Sequence, residues 1–496
     1  MRVLFFFPKT GYYTRALSNP LGLLAIASYL KRLGHDVRII DCNIRRVRVK
    51  KELDSFRPDA VGVSVMSARG VTDAIRISRV AKQGGLPVIW GGQMPSLQPE
   101  MALSCEYVDH VCVGEGELVW QDILETLQTG GDLAGIPGIA CRASEGGVRM
   151  TPCRPFMDLK DAGMLDFTLL EMEKYLQTYL GCKRMVYLYS AKGCPGNCAF
   201  CSNTQFHKST FRRRPTEYVI AELKELTERY GVDGVYFSDE LWCLRRDDML
   251  AFCKQLREND IHIRFGIQMR MGIFNEADYQ LLYDCGCRWV FFGIESGNPE
   301  MQKRIHKPYN AQKVSETFAA LDRIGIISVA SMIIGFPDET EAQLKDSVRL
   351  MNTVRASLRT VYHFTPLPGT ELYNEVISRG LYTPAKTLKE MTRVVETESL
   401  GVNLSQVPDK DLKVVRCWYN WRGFTDRSAV KSDKKYEFAM DTILSGLHSI
   451  SMRGAVSFFV NGFAAFREFV YIFWYSHAYP DVIKKYGLDT DLTQQR

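Results

Sequence analysis

Short apolar runs alternate with amphipathic stretches along the first 130 residues of the chain. The runs fall at 3–7, 37–40, 60–65, 87–90 and 108–113, and helical periodicity fills 23–33 and 71–82. Five strands separated by helices predict a parallel, doubly wound, flavodoxin-like α/β sheet with helices on both faces. Such sheets take ligands beyond the carboxyl ends of their strands, where the strand order reverses. The alternation resumes between residues 183 and 385, with strands expected at 185–189, 234–240, 264–270, 289–297, 331–337 and 362–370 and an amphipathic stretch at 221–230. Six strands ending in polar groups predict a partial (β/α)6 barrel with its site at the top. Residues 131–182 read as a linker, and 386–496 as a mainly helical C-terminal cap with a helical signal at 386–395. Aromatic residues crowd 417–421 and 469–475, and Phe458, Phe459, Phe463 and Phe466 share roughly one helical face. That face suits a cap completing the core, or peripheral contact with a membrane.

At 496 residues the chain has room for about three domains, taking roughly 150 residues for each. It is 46% hydrophobic and 24% charged, as an ordinary globular protein is, and its net charge of +6 singles out no polyanionic partner. The dense basic runs, 45–51 and 212–214, read as solvated faces, although Arg212, Arg213 and Arg214 also suit an anionic substrate. No nucleic-acid partner is expected. Fourteen cysteines in a chain this long do not form the disulfide framework of a small secreted domain. The apolar run at the N-terminus is too short for a signal peptide, so a reducing, cytoplasmic location is expected. The stretch 455–475 carries Arg467 and Glu468 in its interior, which argues against a membrane span.

The candidate chemistry sits in one short segment. Cys194, Cys198 and Cys201, spaced C-x3-C-x2-C, follow the strand at 185–189. Clustered thiolates hold soft metals and iron–sulfur centres. Three of them ligate three irons of a [4Fe–4S] cube and leave the fourth iron open to chemistry. A closed zinc site would need a fourth ligand, and His207 is near enough in sequence to complete a Cys3His set. At the first domain's strand ends stand Ser64-Val65-Met66-Ser67, Gly91-Gly92-Gln93 and Gly114-Glu115-Gly116-Glu117. Small residues there let a large flat ligand approach the backbone. The first strand–helix connection contains no G-x-G-x-x-G, which weakens a dinucleotide reading.

The cysteine segment and the later strand ends resemble the radical S-adenosylmethionine (radical SAM) superfamily. The first domain resembles the cobalamin-binding domain that precedes many radical SAM domains, through Asn19-Pro20-Leu21-Gly22-Leu23, Gly34-His35-Asp36-Val37, Gly91-Gly92 and Val113-Gly114-Glu115-Gly116-Glu117. The resemblance covers residues 1 to about 385. It implies three cofactors: a [4Fe–4S] cluster on the three cysteines, S-adenosylmethionine (SAM) and cobalamin. For SAM it implies Phe200 at the adenine, Ser238 and Glu240 at the amino group or ribose, and Arg270 at the carboxylate. Gly293, Glu295 and Ser296 would meet ribose and methionine, with Gly335 and Pro368 bordering the adenine. For cobalamin it implies Leu21, Gly22, Ser64, Met66, Ser67, Arg69, Gly91, Gly92, Gln93, Val113, Gly114 and Glu115. The histidine motif that supplies a lower axial ligand in classical cobalamin proteins is missing, and Arg69 is a candidate for that face.

The expected activity is C-methylation of an unactivated carbon in a secondary metabolite or lipid, with a flavodoxin or ferredoxin as reductant. Ring closure, ring contraction or rearrangement is the alternative on the same scaffold. A tRNA methylthiotransferase would need three further N-terminal cysteines, and Cys42, Cys105 and Cys112 do not follow successive strands as that site requires. A non-enzymatic cobalamin or zinc module would leave Arg270, Glu295 and Ser296 without a role.

Overall fold

The computed structural model describes residues 1–10, 17–392, 401–425 and 470–490. In the first sheet, β1 (Arg2–Phe7), β2 (Asp36–Asp41), β3 (Ala60–Ser64), β4 (Val88–Gly91) and β5 (His110–Cys112) run parallel in the order 2-1-3-4-5. Val3, Leu4, Phe5 and Phe6 are all buried, because successive side chains of β1 enter two different cores. Val3 and Phe5 pack with helices Leu21–Arg32 and Glu117–Thr129, while Leu4 and Phe6 pack with Val49–Phe56 and Val71–Gln83. Phe5 meets Trp120 edge-on at 4.8 Å, and this contact needs Gly62, where a Cβ would come within 2.4 Å of the Phe5 ring. The strand order reverses between β1 and β3, so the switch point opens beyond Phe7 and Ser64.

Residues 131–182 are not a linker between the sheets, as the sequence suggests, but an edge of each. β6 (Ile139–Arg142) and β7 (Val148–Met150) extend the first sheet antiparallel from β5. β8 (Gln177–Tyr179) pairs antiparallel with β9 (Cys182–Leu188), the first strand of the second sheet. Strands of three or four residues carry too few positions for a period of two to show.

The second sheet follows the expected barrel. From β9 the chain passes through an antiparallel ribbon, β10 (Ala191–Gly193) and β11 (Phe211–Arg213), which brackets the cysteine segment. β12 (Gly234–Phe237), β13 (Arg264–Met269), β14 (Cys287–Glu295), β15 (Ile327–Ile334) and β16 (Leu358–His363) then add in sequence order, all parallel. β15 and β16 begin four residues before the apolar runs used to place them. Polar residues hide those starts: Ser328 and Ser357 bond each other's backbone at the entry to the two strands. The helix expected at 386–395 is described as Leu388–Met391, whose apolar side chains pack into the first sheet's core. Helix Asp409–Thr425 lies along β16. Phe458, Phe459, Phe463 and Phe466 lie outside the described residues. Among the described residues no helix is long and apolar enough to cross a membrane.

One buried carboxyl in the barrel makes a pH prediction. Glu339 is fully buried; one oxygen accepts the Gly335 N–H at 2.6 Å and the other has no hydrogen-bond partner among the described residues. Burial pushes its carboxyl up to about 7. The folded chain then holds a proton that the unfolded chain has lost above the ordinary glutamate range, so stability falls as pH rises toward 7 and that loss is complete above it. Glu339→Gln, a neutral stand-in, is expected to match the wild type at pH 4.5 and to melt about 2–4 °C higher at pH 8 in thermal unfolding.

Candidate active site

The cysteine segment leaves the sheet on a backbone held from below. Asp239, buried past the end of β12, accepts hydrogen bonds from Ser190 N, Ser190 Oγ and Ala191 N at 2.6–3.1 Å, tying that strand end to the start of the ribbon. Gly193 then turns the chain with φ +82°, and a Cβ there would lie 2.3 Å from the Thr210 carbonyl. Only glycine lets the neck of the loop close. Beyond it Cys194, Cys198 and Cys201 are half-buried, with Ala199 N bonded to the Ile305 carbonyl. Burial raises the Cys198 thiol and pushes Cys201 up to about 11, while Lys307 draws both down and Arg270 also lowers Cys198. Burial thus favours the protonated form of Cys198 and Cys201, and a bound metal would displace those protons. Among the described residues no three His, Cys, Asp or Glu side chains stand pre-arranged around a metal position, so ligation requires the thiols to move together. Three cysteines on one short loop, with Lys307 and Arg270 nearby, nevertheless fit an iron–sulfur cluster with an anionic set of ligands. His207 does not complete a zinc set: its ring lies between Glu115 and Glu240.

The residues expected at SAM collect around this loop. Ser238 and Glu240 are exposed at the end of β12, on either side of buried Asp239. Glu240 accepts the Gly193 N–H at 3.0 Å and leaves 42% of its side chain exposed. Arg270 follows β13 and reaches the cysteine loop across Gly196, where a Cβ would stand 2.9 Å from its guanidinium and 3.5 Å from Cys194 Sγ. Phe200 packs edge-on against Phe336, beside Gly335 at φ +81°. Pro368 is half-buried in the turn after β16. At the end of β14 the register breaks between Gly293 and Glu295, and Glu295 adopts φ +66°. This turns its carboxylate onto Lys307 Nζ at 2.7 Å. Ser296 does not share that opening. It is fully buried, with its hydroxyl 3.3 Å from Ser347 Oγ and its carbonyl accepting from Gln302.

The residues expected at cobalamin gather at the carboxyl edge of the first sheet. Met66, just past β3, is 48% exposed, an apolar side chain left uncovered at the switch point. Ser64 ends the strand, Ser67 precedes the turn Ala68–Gly70, and Arg69 lies in that turn. Leu21 and Gly22 open the first helix. A Cβ on Gly22 or Gly114 would meet nothing within 4 Å, so both leave open space where a flat ligand fits. Gly91 and Gly92 differ from these. A Cβ on Gly91 would make ordinary contact with Cys112, while Gly92, at φ +97°, lies against the Val65 carbonyl, where a Cβ would be 2.8 Å away. Val113 and Gly114 border a cleft with Phe156, Phe206 and Lys208. Gln93 points away from the first sheet and donates to Ser202 Oγ at 2.7 Å, next to Cys201.

Glu115 lines the same cleft, but its carboxylate takes a two-pronged bond from Arg212 and lies near His207 and Lys192, so its side chain also docks the domains. Burial alone would raise its carboxyl, but these cations hold it well below the usual range. Arg212, Arg213 and Arg214 do not form an anion site. Arg213 lies over Trp242, and Arg214 is fully buried against Glu222. Sequence reasoning missed Lys192, Asp239 and Lys307. Lys192, two residues before Cys194, and Asp239, one before Glu240, were visible only as neighbours of motif residues. Cys42, Cys105 and Cys112 are all buried in the apolar cores, where burial raises each thiol.

Residues 188–351 match the Radical SAM superfamily, and residues 15–124 match the B12 binding domain. The chain is a B12-binding radical SAM protein. As a radical SAM protein of this type it uses a [4Fe–4S] cluster, SAM and cobalamin. Over 392 residues it is 29% identical to an uncharacterised methyltransferase of Pyrococcus horikoshii, spanning 77% of this chain and 84% of that one. It is 23% identical to an anaerobic magnesium-protoporphyrin IX monomethyl ester cyclase of Rubrivivax gelatinosus, across 90% of this chain and 83% of the cyclase. Its fold matches that of OxsB, a cobalamin-dependent S-adenosylmethionine radical enzyme solved with aqua-cobalamin, with a TM-score of 0.68 at 15% identity over 99% of this chain and 80% of OxsB.

Gly293 is a sharp probe of the radical SAM site. A Cβ there would stand 2.1 Å from Glu295 Oε1 and 2.7 Å from Lys307 Nζ, so Gly293→Ala must part the pair. Both atoms end flexible side chains, and the fold is expected to survive with little change in melting temperature. SAM affinity, measured by anaerobic equilibrium dialysis, is expected to fall about tenfold or more, as loss of a buried charge-assisted contact implies.

Proposed function

We propose that this radical SAM enzyme methylates an unactivated carbon of a small molecule, a secondary metabolite or a lipid. The observation that carries the reading is the reach of the first sheet's loops into the cysteine segment, through Gln93 to Ser202 and Glu115 to Arg212. The face that takes cobalamin thereby borders the face that takes the cluster and SAM. When bound, the reduced cluster and SAM supply a 5′-deoxyadenosyl radical that removes hydrogen from carbon, and cobalamin supplies a methyl group.

The chain's own residues hold and shield these groups. Cys194, Cys198 and Cys201 would hold the cluster. Arg270 presents a planar fork suited to the carboxylate of SAM, and Glu240 an exposed carboxylate suited to its ammonium. Gly293 and Glu295, steadied by Lys307, border the ribose, while Phe200, Gly335 and Pro368 border the adenine. Leu21, Gly22, Ser64, Met66, Ser67, Arg69, Gly91, Val113 and Gly114 cover one face of cobalamin. Tyr187, Tyr236 and Phe291 share one face of the barrel sheet, an aromatic surface suited to an apolar substrate. A flavodoxin or ferredoxin is the proposed electron donor. The likeness to an uncharacterised methyltransferase supports methyl transfer, while the likeness to the cyclase keeps ring closure as the second reading.

Protein purified without oxygen from cobalamin-fed cells is expected to hold about four irons and about one cobalt per chain. With a low-potential reductant and SAM it is expected to form 5′-deoxyadenosine. Cys198→Ala should lose the iron and that product while retaining cobalt. Iron and product without cobalt would remove methylation from the reading.

A further inference from the structure

The two cofactor faces are joined by a charged cluster that neither needs for its own ligand set. Lys192 and Arg212 are paired opposite each other on the ribbon β10–β11, at the neck of the cysteine loop. They meet Glu115 and Glu117 of the first domain, Lys192 Nζ at 2.6 Å from Glu117 Oε1 and Arg212 Nη1 at 3.1 Å from Glu115 Oε2. Within this cluster lies His207, its side chain only 9% exposed and wedged against Phe206 and Phe156. Its Nδ1 is 3.5 Å from Glu115 Oε1, in the first domain, and its Nε2 is 3.4 Å from Glu240 Oε1, in the barrel. Both ring nitrogens therefore face carboxylates that belong to different domains. Burial opposes a charge on the ring, yet the two carboxylates raise its pKa, which suits a cation held between them.

We propose that His207 is a positioning residue that couples SAM binding at Glu240 to the seating of the cobalamin domain at Glu115. Glu115 Oε1 stands at ion-pair distance from one edge of the imidazole and Glu240 Oε1 from the other, so a charged ring attracts both carboxylates. The Gly193 N–H holds the other Glu240 oxygen, so the carboxylate is oriented by groups from both sides before any ligand arrives. Such pre-organisation lowers the cost of ordering the acid on binding. Glu115 stands next to Gly114, on the loop that borders the cobalamin face, so a shift of the domain there is passed to Glu240 through one ring. Linkage makes the effect mutual: whatever seats the domain tightens SAM, and SAM tightens the domain by the same factor.

The coupling rests on the reading of Glu240 as the partner of the SAM ammonium, and a double-mutant cycle separates the two. Anaerobically reconstituted holoenzyme is dialysed against SAM for the wild type, Glu115→Gln, His207→Gln and the double variant, with Glu240→Gln as reference. Glu115→Gln alone is expected to weaken SAM about fivefold, the low end of measured coupling between sites. In the His207→Gln background the same change is expected to have no further effect, because the ring that carried it is gone. Gln fills the same space with a donor for only one carboxylate; if that variant does not fold, His207→Asn replaces it. The electron paramagnetic resonance shift of the reduced cluster on adding SAM is expected to weaken in parallel. Equal, additive losses in both backgrounds would show that Glu115 acts by docking alone, and the relay would fall while the Glu240 reading stood. Unchanged SAM affinity in Glu240→Gln would instead overturn the Glu240 assignment, and the relay with it.

Discussion

The contact on which the rest of the architecture depends is the set of charges buried between the loop after β5 and the ribbon β10–β11. Lys192 and Arg212 on one side, and Glu115 and Glu117 on the other, are withdrawn from water. Deleting one member of a buried ion set leaves an uncompensated charge and costs about 3–5 kcal/mol, although forming the set adds little stability over an apolar contact. Its value is therefore register. Each cation has one geometry in which its carboxylate satisfies it, and that geometry sets the neck of the cysteine loop against the cobalamin domain.

Around that contact the two parallel sheets are turned so that their carboxyl edges share one region. Parallel strands buried on both faces leave polar and glycine residues to gather at their ends, where the connections must be hydrated or liganded. The first sheet brings Met66, Gly22, Gly114 and Gln93 to this region. The barrel brings the cysteines, Glu240, Arg270 and Glu295. Further ties pull the halves together: Asn19 brackets the Tyr187 backbone, and Gln177 brackets that of Leu17. The neighbouring strand ends of the two sheets are thus built into the packing of the domains.

Special backbone marks several of the places where chemistry is expected. Gly193 and Gly196 let the cysteine loop turn and let Arg270 approach it. Glu295, a non-glycine residue in the left-handed region, breaks the register of β14 to meet Lys307. Conformations of this kind persist only where their surroundings hold them, as the buried Ser296–Ser347 contact does here.

Much of this was legible in the chain alone. Five apolar runs with helical spacers determined the first sheet, because period and length are local properties and every strand is covered on both faces. The cysteine spacing, the acids after β12 and the glycines of β14 located the site, because the chemistry needs those residue types close together in sequence. Three things were decided only by tertiary structure. The hairpin of β6 and β7, with β8, is too short to carry a pattern and exists because two sheet edges are there to pair with it. Ser296 and Glu115 sit in the expected motifs, yet the side chain of one is sealed against Ser347 and that of the other is paired with Arg212, and no local signal tells which partner a motif side chain will find. His207 and Lys307 acquire their roles from partners dozens of residues away or across a sharp turn. Strand period is written along the chain, whereas the pairing of buried charges depends on which surfaces the folded domains bring together.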